Sequence, residues 1–478
     1  MLTPAYGIFQ DLPGAMRTGA VKVGFGGEIH TVDLYEIPGP DSRVRHYALD
    51  HPLFAPRGPG LIYCDDGADT PFATDAGKFA FYCAAAASAL SAGALRRPRI
   101  IHLHDWQAAL FLVLRAFEPA HAPLREIRTV FTIHNLAFQG IRPLAGNGSS
   151  LRSWFPHLEF KREAVTDPRW PDCVNPMAAG IRLADGVNTV SPTYAREVLQ
   201  LASAERGFSG GEGLEADLKK AHASGRLLGI LNGCTYPARA RRAPGWGRVL
   251  EAIHEELARW IARETLMASA HFLADKRLST LPARRPGVVL TSIGRIAAQK
   301  TQLFREPTAD GVSALEAILA GLDRGGLFVM LGSGEPEYEA FLAEMTATHA
   351  NFLFLRGYSD RLAELLYTGG DLFLMPSSFE PCGISQMLAM RAGQPCVVHG
   401  VGGLRDTVSD NITGFVFDGK TRRAQAGDFV SRVAQARELC QSSSERWRQM
   451  RQAAAEMRFS WEASAAVYEK ELYGIDGA

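Results

Sequence analysis

Short apolar runs recur along the chain, each closing on a small or polar residue. In the first half they are RIIHLH (99–104), TVFTIH (129–134), GVNTVS (186–191) and LLGILNG (227–233). In the second they are VVLTSIG (288–294), LFVMLGSG (327–334), FLFLRG (352–357), DLFLMPS (371–377) and PCVVHG (395–400). Stretches with helical periodicity lie between most of them. Runs apolar on both faces, alternating with helices, predict parallel strands covered on both sides. Two such sets predict an α/β protein of two doubly wound domains facing across a cleft. Residues 236–248, YPARARRAPGWGR, interrupt the pattern, and an amphipathic helical stretch follows over 251–278. The expected division is a first domain over 1–240, a linker and helix over 241–285, a second domain over 286–456 and a C-terminal helix over 457–478.

Length and composition narrow the class. A chain of 478 residues with 46% hydrophobic and 21% charged residues is ordinary globular material for at least two domains. Lysine plus arginine and aspartate plus glutamate number 51 each, so no net charge draws the chain to nucleic acid or to an anionic membrane. The best membrane candidate, FAFYCAAAASALSAGAL (79–95), is too short and too rich in Ala and Ser, and reads as a buried helix. The N-terminus has no basic start followed by an apolar core, so no signal peptide is read there. Seven irregularly spaced cysteines without a CxxC pair suggest a reducing cytoplasm, with neither a disulfide framework nor a zinc site.

In open α/β sheets ligands bind beyond the carboxyl ends of the strands, so chemistry is sought there. Arg295 and Lys300 follow the strand at 288–294, and two fixed cations suit a diphosphate whose charge grows as it leaves. A surface Arg and Lys would look the same. GSGEPEYE places Gly332 and Gly334 before a helix, where the backbone can turn and approach an anion, though a plain strand–helix turn reads equally well. In PSSFEPCGISQ (376–386), Glu380 sits in a turn before a helix and suits sugar hydroxyls; simple helix capping is the alternative. Gly402 and Gly403 repeat the strand–glycine–helix arrangement. In the first half HLHDW (102–106) and HNLAFQG (134–140) end two strands. Two imidazoles at His102 and His104 are thin grounds for a metal, and the groups fit a hydroxyl-rich substrate better.

Taken in order, HDWQAAL (104–110), HNLAFQG, SPTYARE (191–197), GILNG (229–233), GRIAAQK (294–300), GSGEP, PSSFEPCGISQ, GGLRDTV (402–408), GFVF (414–417) and FSW (459–461) resemble the bacterial glycogen synthase and plant starch synthase family, from the N-terminus to about residue 475. The resemblance implies a GT-B fold of two Rossmann-like domains. It also implies retaining transfer of glucose from ADP-glucose to the non-reducing 4-hydroxyl of an α-1,4-glucan such as glycogen, with no cofactor and no required metal. By carry-over, Arg295, Lys300, Glu380 and His134 would be catalytic. Asp105, Asn135, Gln139, Cys382, Gly383, Gly402, Gly403, Gly332 and Gly334 would contact substrate. Neither nucleic acid nor membrane is an implied partner. The chain departs from the family at its start. LTPAYG (2–7) resembles the segment after the family's second strand, and the first strand with its Lys-x-Gly-Gly-Leu loop is not found. FGGEIH (25–30) sits too late, with no apolar strand leading into it. The expectation is a sheet lacking an interior strand, with weak donor binding and little transfer by the chain as it stands. A UDP-sugar-dependent GT-B transferase and a non-catalytic glucan-binding homologue are the competing readings.

Overall fold

The computed structural model describes residues 1–41, 43–237, 243–322, 325–442 and 444–475. The described residues form sixteen strands, numbered in chain order. In the first half they are β1 (Leu2–Pro4), β2 (Met16–Phe25), β3 (Glu28–Ile37), β4 (His46–Asp50), β5 (Ile100–His104), β6 (Arg128–Ile133), β7 (Arg142–Pro143), β8 (Cys173–Val174), β9 (Gly186–Thr189) and β10 (Leu227–Gly229). In the second they are β11 (Val288–Ile293), β12 (Gly326–Gly332), β13 (Phe352–Arg356), β14 (Leu372–Met375), β15 (Cys396–His399) and β16 (Gly414–Phe417). Each apolar run of the sequence becomes one of these strands.

The second half is one six-stranded parallel sheet, ordered β13-β12-β11-β14-β15-β16. Every residue of β11, β12, β14 and β15 is buried. Alternate side chains feed two cores: Val288, Leu290, Phe328 and Met330 face one layer of helices, while Val289, Ile293, Val329 and Leu331 face the other. This is the physical meaning of runs apolar on both faces. The stretch at 251–278 is two helices, Trp246–Ile261 and Ser269–Thr280, packed on the second core. Glu264 ends the expected continuity, because its Oε2 accepts hydrogen bonds from the Ala268 N–H at 3.0 Å and from His271 Nδ1 at 3.0 Å. Three arginines of the preceding cluster, Arg239, Arg241 and Arg242, lie outside the described residues.

The first half holds two four-stranded sheets, β10-β9-β6-β5, all parallel, and the mostly antiparallel β1-β4-β3-β2. The second of these was not expected. Its strands alternate instead of running apolar: Val21, Val23, Val32 and Leu34 are buried between more exposed neighbours. A strand, β2, does lead into FGGEIH, but it is alternating and mostly exposed, not apolar. Gly26 and Gly27, at φ +63° and +83°, make the tight β2–β3 hairpin turn. Most of the Ala-rich stretch lies in the helix Ala73–Ser91, which is largely buried, and no helix among the described residues is long and apolar enough to cross a membrane. All seven cysteines are free thiols.

The chain closes with the helix Trp461–Val467 and a π-helical turn, Tyr468–Tyr473, laid back on the first half, where Leu472 packs with Val130 and Ile230. Elsewhere the halves dock through two helices that cap each other. Asp406 of Gly402–Thr407 accepts the N–H and Oγ1–H of Thr193 at 2.7 Å each, and Glu197 of Pro192–Glu197 accepts the Gly402 N–H at 2.9 Å. Each carboxylate thus meets otherwise unpaired N-terminal amides of the opposite helix.

Candidate active site

Between the halves lies a cavity of about 570 Å³. The first half contributes His134, Asn135, Val190 and Asn232 to its wall; the second contributes Arg295, Gln299, Lys300, Gly332, Glu380, Cys382 and Gly383, among others. Lys300 rises from the first turn of the helix Ala298–Arg305, and its Nζ lies 3.0 Å from Glu380 Oε2. Ser377 Oγ donates to the same oxygen at 3.0 Å. Glu380 is 6% exposed, and a carboxylate buried that far is costly to hold without paired partners such as these. The loop that carries it is tied to the lysine helix: Gln299 Nε2 donates to the Phe379 carbonyl at 2.6 Å, and the Ser378 N–H to the Gln299 carbonyl at 2.8 Å. Arg295 stands exposed on the cavity wall.

The glycines act by close approach. A Cβ on Gly332 would stand 1.9 Å from the Gly294 carbonyl oxygen, and one on Gly334 2.0 Å from that of Ile296. The strand-end loops of β11 and β12 therefore lock together, which brings Gly332 and Ser333 to the cavity wall beside Lys300. Gly402 and Gly403 do not line the cavity. They sit behind it, where a Cβ would meet the carbonyl oxygens of Glu380 at 2.0 Å and Cys382 at 2.2 Å. They let the helix Gly402–Thr407 brace the Glu380 loop. Cys382 is buried at the wall, and burial pushes its thiol up to about 12.

On the opposite wall, His134 and Asn135 follow β6. Asp105, at φ +55°, accepts the His134 N–H at 2.7 Å, and its carboxyl is pushed above the ordinary range by burial. Asp105 shapes this loop from behind and faces a different cleft. Gln139 likewise does not reach the cavity. Its Oε1 accepts from Asn175 at 2.7 Å and Arg169 at 2.9 Å, and its Nε2 donates to the Glu212 carbonyl at 3.0 Å, which leaves it a buried staple. Asn232, Ser333 and Tyr358 are among the wall residues that the sequence did not single out. Asn232 and Ser333 lay within quoted motifs; Tyr358, 65% exposed beyond β13, carried no local signal. Tyr358, Gly294, Ile384 and Ser385 also line an adjoining cavity of about 860 Å³.

Two parallel-sheet halves closing on a cavity walled by Lys300, Arg295 and a buried carboxylate define a glycosyltransferase of the two-domain GT-B class. Comparison agrees. The starch synthase catalytic domain family matches residues 1–220, and the glycosyl transferases group 1 family matches residues 309–450. Glycogen synthase of Anaeromyxobacter dehalogenans (strain 2CP-C) is 36% identical over 98% of this chain and 90% of its own, and that of Hydrogenovibrio crunogenus is 30% identical over 98% and 91%. The catalytic domain of starch synthase IV from Arabidopsis thaliana, solved bound to ADP and acarbose, superposes with a TM-score of 0.74 at 26% identity over 99% of this chain and 91% of that one. Sucrose-phosphate synthase from Thermosynechococcus elongatus shares the fold, at TM-score 0.50 and 15% identity. The chain belongs to the glycogen synthase and starch synthase family of glucosyltransferases.

Proposed function

We propose that this glucosyltransferase takes its glucose from ADP-glucose and adds it to the non-reducing 4-hydroxyl of an α-1,4-glucan, with retention. The pairing of Lys300 with buried Glu380, facing His134 across the interdomain cavity, carries this reading. Arg295 and Lys300 hold the diphosphate and neutralise the charge that grows on it as the glucosyl bond breaks. Glu380 orients the donor glucose through its hydroxyls, with Cys382 and Gly383 against the sugar and phosphate. His134 and Asn135 close on the sugar from the other half. The nucleotide base extends past Tyr358 into the adjoining cavity. Asp105 and Gln139 support the His134 loop, and Gly332, Gly334, Gly402 and Gly403 hold the phosphate-side loops in place. That a starch synthase relative was solved bound to ADP supports a donor linked to a nucleoside diphosphate.

The test is incorporation of labelled glucose into glycogen from ADP-glucose and, separately, from UDP-glucose. Incorporation from ADP-glucose is the expected result. Incorporation from UDP-glucose alone overturns the donor assignment. Glycogen binding without transfer from either donor favours a glucan-binding role.

A further inference from the structure

One face of the β10-β9-β6-β5 sheet carries polar side chains where an apolar stripe would be usual: His102 on β5, Thr132 on β6 and Asn188 on β9. Thr132 and Asn188 are fully buried. Buried polar groups cost free energy unless paired, so their partners have a purpose. The C-terminal π-helical turn supplies two of them. Tyr473 OH lies 2.7 Å from His102 Nδ1, and Asn188 Nδ2 donates to Tyr468 OH at 2.9 Å. Thr132 Oγ1 donates to Asn188 Oδ1 at 2.7 Å, so its oxygen accepts from His102 Nε2 at 2.6 Å. His102 therefore carries its proton on Nε2, and its bare Nδ1 accepts the Tyr473 hydroxyl. The His102 ring stacks on His104 at 4.3 Å between centroids and 27° between planes. His104 Nδ1 lies 3.0 Å from His134 Nε2 at the cavity wall. Burial and neighbouring imidazoles lower His102 to about 3 and His104 to about 4, so both are neutral at physiological pH.

We infer that the C-terminal turn is a positioning element for the active site: Tyr473 fixes His102, His102 fixes His104 by stacking, and His104 sets the ring of His134 against the transferring sugar. Tyr473, His102 and His104 are positioning residues that act through His134. Arg128 Nε, donating to the Leu472 carbonyl at 2.8 Å, and buried Leu472 seat the turn. The last residues of the second half of the sequence thereby set a side chain in the first. This rests on the reading of His134 as a site residue.

Tyr473→Phe removes one hydroxyl and keeps the ring. The first readout needs no turnover: in 15N-histidine-labelled protein, the His134 ring signals, assigned with His134→Gln, move or broaden when Tyr473 becomes Phe. The second is kinetic. Transfer to glycogen loses about tenfold in kcat, a part of the roughly hundredfold that a misplacement of about 1 Å costs, while the donor KM stays within about twofold. In a His104→Leu background, Tyr473→Phe has no further effect on either readout. Unchanged His134 signals with a lowered melting temperature overturn the inference, because the turn is then only a cover. If Tyr473→Phe does not fold, His104→Leu alone is read the same way, and unchanged kcat there overturns it. A variant that shifts the His134 signals while His134→Gln keeps full activity upholds the positioning chain and removes instead the assignment of His134 to the reaction.

Discussion

The two halves build the same kind of sheet to different degrees of completeness. In the second, six parallel strands form one ladder, and the strand ends that carry Arg295, Gly332 and Glu380 share one rigid frame. In the first, β1 and β5 are edges of separate sheets and line opposite sides of a cleft of about 1060 Å³, floored by Phe79, Ala86 and Phe111. The β1 edge is blunted: Pro4 has no N–H to offer, and Tyr82 OH donates to the Leu2 carbonyl at 2.8 Å. His104 and Asp105 stand at the end of the other edge. The comparison teaches that one continuous ladder carries Arg295, Gly332 and Glu380, whereas beside His134 the ladder is supplemented by side-chain contacts, the Asp105 carboxylate accepting the His134 N–H and the Tyr473 hydroxyl meeting His102.

The sharpest way to test the complete half is Lys300→Ala. Loss of one preorganised charge partner costs roughly 3 kcal/mol in the transition state, about a hundredfold in transfer rate. Glycogen binding, measured by co-sedimentation, should be nearly unchanged. An unaltered rate would make the lysine a structural partner of Glu380 only. Next in size is Gly332→Ala, where the added Cβ meets backbone that is locked on both sides. A loss of roughly 2–3 kcal/mol in a denaturant melt is expected; a loss below about 0.5 kcal/mol would show that the β11 and β12 loops can separate.

A matched pair compares the halves directly. Ala426 is fully buried in the second-half core, and Ala426→Leu should cost roughly 1–3 kcal/mol by overpacking. Ala86 faces the cleft, and Ala86→Leu should be tolerated within about 0.5 kcal/mol, since the added methyls enter open space. Equal costs would mean that the cleft closes in solution.

The smallest effect probes the joint between the halves. Burial raises Glu197 to about 7, so the docked state holds a proton that the unfolded chain releases near the ordinary carboxylate range. The sign follows: its contribution to stability is greatest at low pH and falls as pH rises towards about 7. Glu197→Gln removes that slope. Its melting temperature should therefore fall less between about pH 5 and about pH 8 than that of the unaltered chain. Identical slopes would show that Glu197 does not titrate at the interface.

Read along the chain alone, the parallel strands were visible because burial on both faces leaves an unbroken apolar run. The β1–β4 sheet was not, because half-exposed strands alternate and break such runs. Arg295, Lys300 and Glu380 stood out at strand ends, His134, Asn135, Cys382 and Gly383 came from the family resemblance, and all seven line the cavity. Gln139, Asp105, Gly402 and Gly403 carry the same local signals, yet the structure sets them behind it. Whether a polar strand-end residue touches a ligand or braces its neighbour depends on which loop packs against it, and that contact spans tens to hundreds of residues. The sequence by itself determined the α/β class and the parallel strands, which follow from local pattern, and marked Arg295, Lys300 and Glu380 as candidates through the order of its motifs. Only the tertiary structure decided that Tyr473 bonds His102 from 371 residues away and that Glu197 and Asp406 cap each other's helices. Such hydrogen bonds are set by the docking of whole layers, which no local stretch of sequence encodes.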